Sequence, residues 1–163
     1  MVRHIGPDDP GARDVRALLE THLAHMRTIS PPGSVHALDV DALRAPGINF
    51  FSMREGGRLV AVGALKRVEP GHGEIKSMHT AAAARRTGAG AAMLEHLLGV
   101  AREKGFTRVS LETGRPADFA SAQSLYRRRG FIECEPFGSY TKDAFSLCMT
   151  IALRDDQEHA RRP

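Results

Sequence analysis

The run Arg85-Arg86-Thr87-Gly88-Ala89-Gly90 is where this sequence most clearly offers chemistry. Glycines there let the backbone approach a ligand closely and leave N–H groups pointing outward. A helix opening at the same place adds its first unpaired N–H groups and a partial positive charge. With two arginines alongside, the combination suits a pyrophosphate. The spacing is neither Gly-x-x-x-x-Gly-Lys-Ser/Thr nor the three-glycine opening of a βαβ unit, so no nucleoside-triphosphate loop and no dinucleotide fold is implied. On its own the hexapeptide reads equally well as a turn with two solvated arginines. The eight histidines are the other suggestive group. His22 and His25 stand three apart on a helical stripe, a spacing that can bind zinc. No third ligand is obvious and no cysteine is near in sequence, so no metal is expected.

The elements that position these residues follow from periodicity and turn chemistry. A strand at residues 2–5 leads into Pro7-Asp8-Asp9-Pro10, a helix-start signal with Asp as the cap and Pro in the first turn. Val15, Leu18, Leu19, Leu23 and Met26 then recur at helical spacing, and Ser30-Pro31-Pro32-Gly33 breaks the helix. A short helix at 39–44 follows. Residues 48–54 and 59–68 read as a hairpin about Glu55-Gly56-Gly57-Arg58, and Pro70-Gly71-His72-Gly73 turns into a strand at 74–80. A helix at 88–104, with Ala91, Leu94, Leu98 and Ala101 on one face, stops at Gly105. A strand at 107–113, a helix at 118–129 and strands at 131–135 and 145–153 complete the order β-α-α-β-β-β-α-β-α-β-β. Helices interrupting a mainly antiparallel sheet make an α+β fold. Residues 1–153 are read as a single domain and 154–163 as a charged, frayed tail.

With 163 residues the chain is about one domain long. Apolar residues at 42% and charged residues at 26% are ordinary for a globular protein. No apolar run approaches the roughly 18 residues that would suggest a membrane span, and the polar N-terminus lacks the apolar core of a signal peptide. Two cysteines are too few for a disulfide framework, so a cytoplasmic setting with two buried thiols is expected. The net charge of +4 is spread over several short basic groups. No base-reading motif accompanies it, and a small anionic ligand is the preferred partner over nucleic acid.

The pattern Arg-x-x-Gly-x-Gly after the strand at 74–80 resembles the acetyl-CoA-binding motif of the GNAT N-acetyltransferase superfamily. A second stretch, Ala122-Gln123-Ser124-Leu125-Tyr126-Arg127-Arg128-Arg129-Gly130-Phe131, is similar to that family's helix ending in Leu-Tyr followed by Gly-Phe opening a strand. Both halves stand in the family's order, and the element order from Val2 to Leu153 resembles a GNAT-like fold. Within it, Glu74-Ile75-Lys76-Ser77-Met78 and Leu111-Glu112-Thr113-Gly114 are similar to a subgroup of small, poorly characterised bacterial members.

The resemblance implies that the strand stretch Met78-His79-Thr80 pairs its backbone with the pantetheine arm. It implies that the amides from Arg86 through Thr87, Gly88 and Ala89 to Gly90 hold the pyrophosphate, with Arg85 opening the motif. Tyr126 takes the general-acid position facing the sulfur, and a backbone N–H near Met78 can serve the oxyanion. For the base, Glu74 is preferred and Glu112 is nearly as good, since a carboxylate among apolar strand residues is raised toward neutrality. Either can instead be an ion-pair partner, for instance of Lys76 or Arg108, and an already neutral amine needs no base. Many members carry Asn where this chain has Phe119, so another group, or none, takes that role. The first two helices and their connection cover the acceptor in such folds, which puts His22, His25, Ser30, Ser34 and His36 near it. The expected activity is acetyl transfer from acetyl-CoA to an amine of a small molecule or peptide. The competing readings are a non-catalytic acyl-CoA-binding sensor and a nucleic-acid-binding protein. Exposed sheet edges make a homodimer plausible.

Overall fold

The computed structural model describes residues 2–35 and 39–153. His36 and the charged tail therefore lie outside the described residues. Seven strands form one sheet in the order β1-β2-β3-β4-β5-β7-β6. They are β1 (Arg3–Pro7), β2 (Ile48–Glu55), β3 (Arg58–Glu69), β4 (His72–Thr80), β5 (Arg108–Gly114), β6 (Ile132–Glu133) and β7 (Ser146–Ala152). Every neighbouring pair is antiparallel except β4 and β5. The helices are α1 (Arg13–Ile29), α2 (Val40–Leu43), α3 (Ala89–Glu103) and α4 (Ala120–Arg129). The fold is the expected α+β class, and among the described residues no helix is long and apolar enough to cross a membrane.

Strand alternation sends the two sheet faces to different partners. Ala61, Leu65, Ile75, Val109, Leu111, Leu147 and Met149 join Met93, Leu94, Leu97, Leu98 and Ala101 of α3 and Tyr126 of α4 in the larger core. Phe50, Val62 and Ala64 face the other way, against Val15 and Leu19 of α1 and Leu43 of α2. The buried stripe of α3 is thus wider than, and rotated from, the expected one: Ala91 is exposed, while Ala89, Met93 and Leu97 are buried.

The start of α1 departs from its sequence signal. The helix begins at Arg13 with no side-chain cap, because Asp8 and Asp9 are taken by distant partners. Asp8 accepts from Ser52 Oγ at 2.6 Å and from Arg54 at 3.1 Å, while Asp9 pairs with Arg44 at 2.8 Å. Long-range ion pairs fix the entry to α1 where a local cap was expected. Of the two thiols, Cys148 is buried and Cys134 is partly exposed.

Candidate active site

β4 and β5 pair in parallel only at His72–Arg108, Gly73–Val109 and Glu74–Ser110, and beyond that they diverge. On its other side β4 carries a bulge. Opposite β3, the register advances from Val62–His79 to Ala64–Lys76, so β4 holds one extra residue. Ser77 sits at that place with φ 53, the strained conformation a bulge residue adopts. The divergence leaves the backbone of residues 76–80 without a β5 partner and opens a cavity of about 920 Å³ that reaches both faces of the sheet.

On the α3 side the cavity ends at the start of that helix. Arg86 (φ 62) and Gly88 (φ 83) both take left-handed backbone, so the loop curls just ahead of the helix. The first helical bond runs from Ala92 N to Gly88 O, and no side chain caps the helix. The amides of Ala89, Gly90 and Ala91 are therefore free for a ligand. Arg85 and Arg86 are exposed beside them. Thr87 turns away: its hydroxyl donates to Ala84 O at 2.5 Å and accepts from Arg3 at 2.7 Å, and its carbonyl accepts from Arg3 at 3.1 Å. Arg3, itself paired with Glu55, thus ties the loop to the sheet edge. Met78, His79, Thr80, Arg85, Arg86, Gly88, Ala89 and Gly90 all line the cavity, and Thr87 does not.

Tyr126 is placed by the way α4 ends. Gly130 N–H donates to Arg127 O and Phe131 N–H to Tyr126 O, each at 3.0 Å, around Gly130 at φ 112. This pair of bonds with a left-handed glycine is the Schellman motif, which brings the residue after the glycine against the one five before it. Phe131 accordingly meets the Tyr126 ring edge-on at 5.7 Å. The spacing from Leu-Tyr to Gly-Phe is the spacing of a helix stop. Tyr126 is buried, which raises its phenol to about 12, and it lines the cavity. Phe119, where Asn was the family pattern, packs on Phe145 at 5.5 Å and so tightly over Gly114 that a Cβ there would stand 2.4 Å from its ring. The polar support of this strand end comes from α4, where Gln123 Nε2 donates to Gly114 O at 2.6 Å.

The opposite face holds the carboxylates. Because Glu74 pairs with Ser110, alternation puts Glu74, Lys76 and Glu112 on one face, together with Cys148 opposite Glu112 on β7. Glu74 is buried and is the counter-ion of Lys76 at 3.4 Å. Tyr140, from the connection between β6 and β7, donates to Glu74 Oε2 at 2.5 Å and accepts from Lys76 Nζ at 2.8 Å. Glu112 is raised to about 7: burial drives it up, Ser146 and the charge of Lys76 pull it down, and Asp143 and Glu74 add to the rise. Tyr140 carried no motif, and no sequence signal marked it. Its phenol is raised far above the usual range by burial and by Glu74.

Over the same face α1 closes the cavity. His22 stacks on His79 with ring centroids 4.3 Å apart. Burial, followed by neighbouring imidazoles, lowers His22 to about 4 and His79 to about 3, so both rings are neutral at pH 7. His22, His25, Ser30 and Ser34, placed near the acceptor by the sequence resemblance, all line the cavity.

A model of the acetyltransferase (GNAT) family matches residues 15–131. An uncharacterised N-acetyltransferase of Bacillus subtilis strain 168, YsnE, is 46% identical over 150 residues, covering 92% of this chain and 99% of the relative. A crystal structure from Klebsiella pneumoniae, provisionally named an acyl-CoA N-acyltransferase, superimposes with a TM-score of 0.80 at 26% identity, over 94% of this chain and 99% of that one. A Bacillus subtilis acetyltransferase solved in complex with CoA superimposes with a TM-score of 0.70 at 16% identity, over 94% of this chain and all (100%) of that one, a likeness of fold alone. The chain therefore belongs to the acetyltransferase (GNAT) family, enzymes that take an acyl group from an acyl-CoA co-substrate.

Proposed function

We propose that this protein transfers the acetyl group of acetyl-CoA to a primary amine of a small molecule or peptide, with Glu112 as base and Tyr126 as acid. The observation that carries this reading is the continuity of the cavity from the uncapped start of α3 to Glu112 on the far face. A pyrophosphate on the α3 amides sends the pantetheine arm along the unpaired edge of β4, and the thioester reaches the place where the strands part. Met78, just past the bulge, offers its N–H to the carbonyl oxygen as it becomes an oxyanion.

An amine entering from the α1 side arrives as an ammonium and must lose a proton. A carboxyl with its midpoint near pH 7 accepts that proton and is half ionised beforehand. Glu112 replaces Glu74 as the preferred base, because Glu74 is already committed to Lys76 and Tyr140. Tyr126, on the α4 side with the cofactor, is high enough in pKa to stay protonated until thiolate leaves. The reading is tested by incubating the purified chain with acetyl-CoA and a panel of primary amines, following free thiol and the mass of the product. Amine-dependent thiol release with an acetylated product supports it. Tight acetyl-CoA binding without turnover on any amine would favour the sensor instead.

A further inference from the structure

Lys76 is a nearly buried cation on the face that carries Glu74 and Glu112. Its side chain is 10% exposed and that of Glu74 is 6% exposed. An ammonium with so little of its side chain exposed is costly unless it is paired. Two carboxylates lie within its reach along the face, Glu74 on its own strand and Glu112 on the next, and the structure gives it only the first. Tyr140 closes the choice. Its hydroxyl accepts from Lys76 Nζ at 2.8 Å and donates a hydrogen bond to Glu74 Oε2 at 2.5 Å, while the ammonium stands 5.4 Å from the centre of its ring. A phenol is suited to this corner because it accepts from a cation and donates to an anion at once.

We propose that Glu74 and Tyr140 are positioning residues that hold Lys76 away from Glu112, so that Glu112 keeps its affinity for the proton of the acceptor amine. The proposal rests on the reading of Glu112 as the base. The groups that act on Glu112 come from three elements. From β4 come Lys76 and Glu74, from β7 Cys148 with the hydroxyl of Ser146, and from the β6–β7 connection Asp143 and Tyr140. Lys76 is the one cation in that set and the only member able to turn Glu112 into a fixed anion by direct pairing. Were it to swing across, Glu112 would become a weak base and the substrate ammonium would meet a neutralised wall.

The arrangement makes opposite-signed predictions at neighbouring residues. Tyr140→Phe keeps the ring and releases Lys76 toward Glu112, so Glu112 should titrate at a pH lower by about one unit. Glu74→Gln removes both the counter-ion and a like charge, and should move it the same way and at least as far. Lys76→Met removes the attraction altogether and should move it to higher pH. The direct measurement is a carboxyl NMR titration of protein labelled at glutamate, with the Glu112 signal identified by its absence from Glu112→Gln. The acidic limb of kcat/KM is followed on the same variants. A purely structural role for Tyr140 would lower melting temperature or kcat without moving either titration. A Glu112 signal that stays in place in Tyr140→Phe, or falls in Lys76→Met, overturns the proposal. A signal that moves as stated while the kinetic limb stays fixed shows that Lys76 is held off Glu112 but removes Glu112 from the role of base, and so overturns the catalytic purpose proposed for the arrangement.

Discussion

Valine at position 88 attacks the cofactor cradle at the point where backbone shape and ligand access coincide. Gly88 holds φ at 83, and nothing lies within 4 Å of where its Cβ would be. The substitution therefore meets no steric wall within the protein, and its folding cost is conformational: roughly 1–2 kcal/mol for placing an L-residue in left-handed backbone. For a chain of this length that lowers the melting temperature by about 2–8 °C. With the cofactor placed as proposed, the side chain enters the open space through which a pyrophosphate reaches the amides of Ala89 and Gly90. Acetyl-CoA at a hundredfold excess over Kd should stabilise the parent by about 2.7 kcal/mol, a rise of about 5–10 °C. That rise should be absent in Gly88→Val. Gly99→Ala, in the same helix with open space about it, is the control and should keep the full rise. Differential scanning fluorimetry with and without acetyl-CoA reads all three. A parent protein with no rise at saturating acetyl-CoA, or a Gly88→Val variant with an undiminished one, would refute the placement of the cofactor on this loop.

Tyr126→Phe leaves the ring on Phe131 and should lower kcat by about 10²–10⁴-fold, toward the low end because a thiolate leaves readily; a variant keeping a third or more of parental kcat would take Tyr126 out of the mechanism. Glu112→Gln should abolish the fall of kcat/KM below pH 7. It should also flatten a stability trend: the folded chain raises Glu112 from 4.5 to about 7, so it retains a proton the unfolded chain has released, and parental stability declines as pH rises across that interval. Urea midpoints measured across it, parent against variant, check the sign. The imidazoles run the other way. With His22 lowered to about 4 and His79 to about 3, the unfolded chain protonates first, and stability declines as pH falls below about 6.5; His22→Phe, which keeps a ring against His79, should reduce that slope, and an unchanged slope would show that the stacked pair does not cause it.

What was legible in the sequence was what local chemistry dictates. The Gly88 cradle, α3 and the β2–β3 hairpin each announce themselves within a dozen residues, since turn glycines and periodicity are properties of the segment itself. The Leu-Tyr to Gly-Phe stretch was legible as a resemblance, and its physical basis is a helix stop that any chain ending α4 this way would share. What escaped depends on distant partners. Asp8 and Asp9 read as caps because capping is the local use of such residues, but Arg54 and Arg44, more than thirty residues on, hold them. Ser77 sits in an unbroken strand-like run, and its bulge follows from the offset between β3 and β4. Tyr140 lies in a connection without periodicity, 66 residues from the carboxylate it serves, so nothing near it in sequence could mark it. The choice between Glu74 and Glu112 was not legible for the same reason, because it turns on which of them Lys76 and that phenol engage.

The extra residue at Ser77 splits β4 into two reading frames. Upstream, the even positions Glu74 and Lys76 lie on the face that α1 covers; downstream the parity inverts, and His79 lies on that face while Met78 packs toward α3. A strand of constant phase would have had to spend one set of alternate residues on both tasks. With the frame shifted, the upstream half can vary the side chains it turns toward α1 while the downstream half keeps an unpaired backbone edge. Length between Lys76 and Met78 is therefore more tightly constrained than composition: a different residue at 77 alters one side chain, whereas a missing one turns half a strand inside out.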